Sequence, residues 1–278
     1  MALGEFTAEQ ITAHVTRIQD GLGAAEYLVQ GSRRALLVDT GYGVFDLRSF
    51  VDGLAATPYD VVCTHGHLDH ACGAGQFEDH DVYMSELDLG LYDEHADVAY
   101  RRSFLAGSFP ELAAGLSDGD FVPKRVTPFL PLEDEQRFDL GDVHVRAIHT
   151  PGHTQGMMVL LVEEDRAALF GDACGVFTLT ILPEATTVAV YRQSLAHLRE
   201  FEDEWDIVLR QHGTCESPKS ILSGNIELCD LILAREDDHQ PVEFMGVQAY
   251  LAKATTADGT QRVDGGEGNI AYREDNIW

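Results

Sequence analysis

The stretch Thr64-His65-Gly66-His67-Leu68-Asp69-His70 puts three imidazoles and one carboxylate within six consecutive positions. Neutral imidazole nitrogen and carboxylate oxygen are ligands for zinc, iron or manganese. His65 and His67 are two apart, so on an extended backbone both rings project to one side and can hold a single ion. Asp69 and His70 fall where the chain should turn into a helix, and they point elsewhere. The spacing therefore suggests two neighbouring ions. The apolar run Val61-Val62-Cys63 leads directly into the cluster, as a buried strand delivering ligands would.

Three further candidates lie downstream: His153 in Thr150-Pro151-Gly152-His153-Thr154, Asp172 after Gly171, and His212 before Gly213. Taken singly they can also be read as a turn histidine, a turn carboxylate and a strand-end cap. Each follows an apolar run, however, and loops at one edge of a sheet can converge on one cleft. The elements that would position them can be read from periodicity. Short apolar runs at Val15 to Ile18, Ala24 to Val29 and Ala35 to Val38 predict opening strands, the third ending at Asp39-Thr40-Gly41. A helix is expected over Val44 to Ala56, a strand before His65, a tightly packed helix start from His70, and a strand at Asp81 to Met84. Strands are expected again at Val143 to Ile148, Met157 to Val162, Ala167 to Phe170 and Asp206 to Leu209. Helices are expected over Thr186 to Phe201 and from Ser217-Pro218 to about Arg235. Between Ser85 and about Pro131 the pattern loosens into helical patches with Tyr92, Tyr100, Phe104, Phe109, Phe121 and Phe129, readable as a packed insertion or as a lid. The last forty or so residues, with Val242 to Leu251 and the turn Asp264-Gly265-Gly266, read as β hairpins.

This set of residues, from Asp39-Thr40-Gly41 through the His-x-His-x-Asp-His string to His212, resembles the metallo-β-lactamase-fold superfamily of metallohydrolases. The resemblance spans roughly the first four-fifths of the chain. It implies that His65, His67 and His153 hold one ion and Asp69, His70 and His212 a second, with Asp172 bridging and Asp39 supporting the ligands from behind. It implies two divalent ions, zinc before iron, manganese or a mixed pair. It also implies an α+β, four-layer αββα sandwich, where pattern alone gives only α/β or α+β. The corresponding division is a metal-binding domain over 1–240, with its helical insertion at about 85–131, and a C-terminal β extension over 241–278 packed on the same domain.

A two-ion centre lowers the pKa of a shared water, so the expected nucleophile is a hydroxide between the ions, attacking a carbonyl polarised by one of them. Asp69, beside that water, is the expected catalytic carboxylate, orienting it and relaying a proton. The fold supports hydrolysis of thioesters, lactones, β-lactams and phosphodiesters, so the ligands fix reaction type better than substrate. The pattern looks most like hydroxyacylglutathione hydrolase and lactonase relatives, because Asp172 supplies a bridge that β-lactamases proper lack. His212 is followed by Gly213-Thr214-Cys215 and an acidic tail, where the glutathione enzymes carry Glu-Tyr and a basic region, so the thioester's carrier stays open. The alternative is a mononuclear iron oxygenase resembling persulfide dioxygenase, with His65, His153 and Asp172 as a facial triad.

The formal net charge of −28 makes the surface strongly acidic and argues against nucleic-acid partners. A small-molecule substrate is expected; oligomeric state is not legible. The N-terminus lacks a basic region followed by an apolar stretch, and no segment has membrane-spanning length, so a cytoplasmic location with no membrane partner is expected. Five cysteines without a Cys-x-x-Cys pair suggest reduced thiols. Cys63, Cys72, Cys174 and Cys215 lie close in sequence to proposed ligands, but the ligand set closes without them, and buried packing is the expected role. The remaining histidines, His95 and His149 among them, are expected on the surface or in packing.

Overall fold

Strands whose two faces are both apolar must be covered on both sides, and that requirement dictates the layering here. The computed structural model describes residues 4–244, 246–257, 259 and 261–278. Met245, inside the expected Val242 to Leu251 segment, and Met1 to Leu3 of the N-terminus lie outside the described residues. The first sheet takes its strands in chain order: β1 (Thr7–Gln10), β2 (Val15–Gln19), β3 (Ala25–Gln30), β4 (Ala35–Val38), β5 (Tyr59–Val62), β6 (Val82–Met84) and β7 (Leu130–Pro131). Pairing is antiparallel as far as β4 and parallel from β4 onward.

Next come β8 (Arg137–Asp139), β9 (His144–His149), β10 (Met158–Val162), β11 (Ala167–Leu169), β12 (Thr178–Thr180), β13 (Ile207–Leu209) and β14 (Glu216–Ser217). The chain ends with β15 (Gln240–Phe244), β16 (Val247–Leu251) and β17 (Ile270–Tyr272). A second sheet has the order β14-β13-β11-β10-β9-β8, and a third the order β12-β17-β16-β15. The helices are α1 (Leu47–Leu54), α2 (Leu68–Ala71), α3 (Leu89–His95), α4 (Val98–Ser108), α5 (Pro110–Gly115), α6 (Val188–Arg199) and α7 (Ile221–Ala234).

Alternation along β3 shows the sandwich directly. Tyr27 and Val29 face Val145, Ala147, Leu160 and Leu169 of the second sheet across a shared core. Leu28, between them, packs on the opposite side with Leu47 and Val51 of α1. The second sheet behaves likewise: Val159 and Leu161 turn away from the shared core onto Leu195 and Leu198 of α6 and Ile226 of α7. Helix, sheet, sheet, helix is the resulting order, the αββα architecture expected above.

Most expected elements form within a few residues of their predicted limits. The helix predicted from Ser217-Pro218 starts later, at Ile221, because Glu216 and Ser217 pair with β13 as a short edge strand. Strands β1, β7, β8 and β12 are not expected from the sequence. All are short, and β12 is stabilised by a distant partner: it pairs in parallel with β17, some ninety residues later in the chain. The C-terminal strands are thereby joined to the loop following Asp172. No helix among the described residues is long and apolar enough to cross a membrane.

Candidate metal centre

Parallel neighbours end at the same edge of a sheet, which is how this chain gathers its ligands. Strands β4 and β5 are parallel, so Asp39 and the His65 loop emerge side by side; β11 and β13 are parallel, so Asp172 and His212 do the same. The sheets are stitched at this edge by Met158 N donating to Thr64 O at 2.9 Å and Ala25 N donating to Gln211 O at 2.8 Å. All seven proposed ligands meet there. His65, His67 and His153 form one group, Asp69, His70 and His212 another, and Asp172 joins His65 and His70 in a third.

The distances suit shared ions. His67 Nδ1 lies 3.1 Å from His65 Nε2 and 2.9 Å from His153 Nε2. His70 Nε2 and His212 Nε2 are 3.2 Å apart, and Asp69 Oδ2 is 3.3 Å from His212 Nε2. Asp172 reaches both groups, with Oδ2 3.4 Å from His153 Nε2 and Oδ1 3.5 Å from His212 Nε2. Metal–nitrogen bonds of about 2.0–2.1 Å in tetrahedral geometry separate ligand atoms by about 3.3 Å.

The outer nitrogens explain why those facing inward need a cation. His153 Nδ1 donates to Leu179 O (2.9 Å), His212 Nδ1 to Gly23 O (2.8 Å), His70 Nδ1 to Asp39 Oδ2 (2.9 Å) and His67 Nε2 to Glu184 Oε1 (2.7 Å). His65 Nδ1 donates to Thr64 Oγ1 (3.1 Å), whose own hydrogen goes to Asp39. In the neutral rings the proton is thus committed outward, and five lone pairs face one another across about 3 Å. A divalent ion would resolve that conflict, so the donor set fits the metal that the resemblance implies.

Asp39 organises the back of the centre. It has a left-handed backbone, φ 65°, and its carboxylate accepts from Thr64 N, His70 Nδ1 and Gln211 Nε2 at 2.7, 2.9 and 3.1 Å. Burial lowers the pKa of His65 well below its usual range and that of His153 to about 4, in both cases with help from neighbouring imidazoles. The reverse holds at the second group. Burial opposes charging of His212, but Asp172 and Asp69 outweigh it and push it up to about 12. The carboxylates there demand a positive charge, which a proton or a metal ion can supply.

Three residues with no assigned site role in the sequence belong to this centre. Asp88, buried at the start of the insertion, accepts from Gly66 N (3.0 Å), Thr154 Oγ1 (2.7 Å) and Gly156 N (2.7 Å), locking the two histidine loops together. Glycine is required at 66, since a Cβ there would lie 2.7 Å from the Asp88 carbonyl. His95, expected to be a surface or packing residue, stacks on His67 at 5.2 Å and is itself stacked by Tyr100 at 4.5 Å. Glu184 is the third. In sequence nothing local separates Asp88 or Glu184 from the chain's many other acidic residues.

Beside the ligands opens a cavity of about 500 Å³. One wall comes from the insertion, with Leu91, Tyr100 and Phe104; the other comes from Phe177, Leu182 and, on β15, Phe244. The aromatics of the insertion therefore divide: Tyr92 and Phe121 are buried in the core, whereas Tyr100 and Phe104 face the cavity. All five cysteines are buried free thiols, and none belongs to a ligand group among the described residues. Burial raises Cys72 and Cys174 to about 12. His149, close in sequence to His153, instead braces its turn by donating to Gln155 O at 2.9 Å.

Comparisons with known proteins show the family and the fold. The chain is 30% identical over 165 residues to the bovine acyl-coenzyme A thioesterase MBLAC2, covering 55% of this chain and 58% of that one, and 29% identical over the same length to the human protein. Over 154 residues it is 29% identical to an atrochrysone carboxyl ACP thioesterase of Aspergillus fumigatus, spanning 29% of that protein. The chain thus spans little more than half the length of the mammalian relatives. Among solved structures, a metallo-beta-lactamase from Pontibacter korlensis superposes with a TM-score of 0.57 at 18% identity, covering 81% of this chain and 99% of that one. A sec-alkylsulfatase from Pseudomonas gives 0.64 at 16%, covering 83% and 42%; both show a shared fold. The model of the metallo-beta-lactamase superfamily matches residues 22–212, the span running from before Asp39 to the last ligand, and this chain belongs to that superfamily.

Proposed function

We propose that the protein is a metal-dependent hydrolase that holds two divalent ions and cleaves thioesters of apolar acyl groups. The observation that carries this reading is the set of five imidazole lone pairs and two carboxylates converging beside an apolar cavity. The thioesterase names of the curated relatives favour a thioester over a lactone or β-lactam. When bound, the ions supply Lewis acidity toward a carbonyl oxygen and make a nearby water acidic enough to attack at neutral pH.

The chain's own groups do the rest. Asp69 lines the cavity, and although burial opposes its charge, His70 and His212 keep it ionised. Its carboxylate is a proton acceptor for the attacking water and can return that proton to the departing sulfur. Leu91, Tyr100 and Phe104 exclude water from the acyl group and orient it, which is where selectivity among thioesters would arise.

The test is metal analysis of the purified chain followed by hydrolysis assays on thioesters, lactones and β-lactams from one preparation. About two ions per chain with preferential thioester cleavage is the expected result. A single iron per chain with sulfite formed from a persulfide would replace this reading with the oxygenase alternative.

A further inference from the structure

We propose that Glu184 is a positioning residue for the three-histidine group: it fixes His67 in the tautomer that presents Nδ1 inward and strengthens that nitrogen as a donor. The inference rests on the reading that His65, His67 and His153 hold an ion. Among the five histidines, only His70 and His67 give their outer hydrogen to a carboxylate, Asp39 and Glu184 respectively. The others donate to carbonyl or hydroxyl oxygens. A carboxylate partner both orients an imidazole and raises its basicity, and removing such a partner typically weakens metal affinity about 10–100-fold.

His67 needs this help more than its neighbours. It is the one histidine of the centre that turns Nδ1 rather than Nε2 inward, leaving Nε2 to project toward the cavity side, where Glu184 also lies. Without an acceptor there, the proton could sit on either nitrogen, and one tautomer would close the ligand position. Glu184 is well placed to prevent that. Its carboxylate is 19% exposed and 2.7 Å from Nε2, and its backbone carbonyl accepts from Gln155 Nε2 at 3.1 Å, in the turn that carries His153. Leu179 O, five residues earlier, holds His153 Nδ1. The segment from Leu179 to Glu184 thus sets the proton position on two of the three rings. His95, stacked on the His67 face, restrains the same ring against rotation.

The experiment compares wild type with Glu184→Ala, Glu184→Gln and Glu94→Gln, the last a control carboxylate lining the same cavity. Each purified full-length chain is stripped of metal and titrated with Zn2+ in competition with a chromophoric chelator, without substrate. Its fold is checked by circular dichroism. Glu184→Ala should lose about 10–100-fold in affinity at one of two equivalents. Glu184→Gln, whose amide oxygen still accepts from Nε2, should recover part of that loss, and Glu94→Gln should match wild type. Wild-type affinity in Glu184→Ala, or a glutamine variant no better than alanine, overturns the proposal while leaving the hydrolase reading intact. A wild-type chain that takes up no Zn2+ overturns the metal-centre reading and this inference with it.

Discussion

Arg101 offers a sharp test of how the insertion is held over the centre. It is fully buried on α4, 0% exposed, with no carboxylate in hydrogen-bond contact among the described residues. Its guanidinium donates to main-chain carbonyls: Tyr42 (3.4 Å), Gly43 (3.2 Å), Ala96 (3.1 Å) and Val122 (2.7 Å). Two belong to the loop after Asp39 and two to the insertion, so one side chain ties the insertion to the back of the site. Arg101→Met keeps most of the stem and strands the Ala96 and Val122 carbonyls, whereas Gly43 O still accepts from Val122 N at 2.8 Å. Each buried, unsatisfied group costs about 1–3 kcal/mol. Setting aside the long bond to Tyr42 and the Gly43 carbonyl, which keeps its Val122 N donor, and taking the lower half of that range for the other two, because water can reach a loosened segment, gives a loss of about 2–4 kcal/mol. That is a large share of the about 5–15 kcal/mol that stabilises an ordinary domain. Arg101→Lys, with three donors on one nitrogen, should fall between. Urea denaturation reads the global loss, and hydrogen exchange over residues 89–122 reads local release. A change below about 1 kcal/mol in Arg101→Met with unaltered exchange would refute the reasoning.

Other expectations follow from the same structure. Chelation should abolish hydrolysis and added Zn2+ restore it, whereas thiol alkylation of the folded protein should leave most activity, since every cysteine is buried; activity that survives chelation but not alkylation would invert the mechanism. Phe104→Ala should raise KM for long-chain thioesters by about tenfold, the equivalent of roughly 1.4 kcal/mol of lost apolar contact, while short-chain thioesters change little; equal effects on both would remove Phe104 from the acyl wall. Glu26 is fully buried, its Oε2 has no hydrogen-bond partner, and burial together with Asp20 raises its pKa well above 4.5. A raised carboxyl costs nothing below its unfolded pKa and destabilises increasingly as pH rises toward and through the folded value. Glu26→Gln should therefore raise the melting temperature at pH 8 and have little effect at pH 4; a variant less stable at pH 8 would show that the carboxyl is usefully charged.

The amino-acid sequence by itself determined the inventory of candidate ligands and the strands that deliver it. Metal ligation uses few residue types, and His65, His67, Asp69, His70, His153, Asp172 and His212 each sit at the end of an apolar run whose period is local, so both signals survive in one dimension. What surrounds the ligands was decided by tertiary structure. Asp88 matters because two loops, at Gly66 and at Thr154 to Gly156, almost ninety residues apart in the chain, close on its carboxylate, and Glu184 because its turn is brought over His67 from 117 positions away. His95 reads as an ordinary helix residue until α3 lies against the His-x-His loop. Strand β12 is three residues long and forms only because β17 returns to pair with it. A ligand is recognised by its own chemistry, but a supporting residue is defined by what it touches, and contacts between distant segments exist only once the chain has folded.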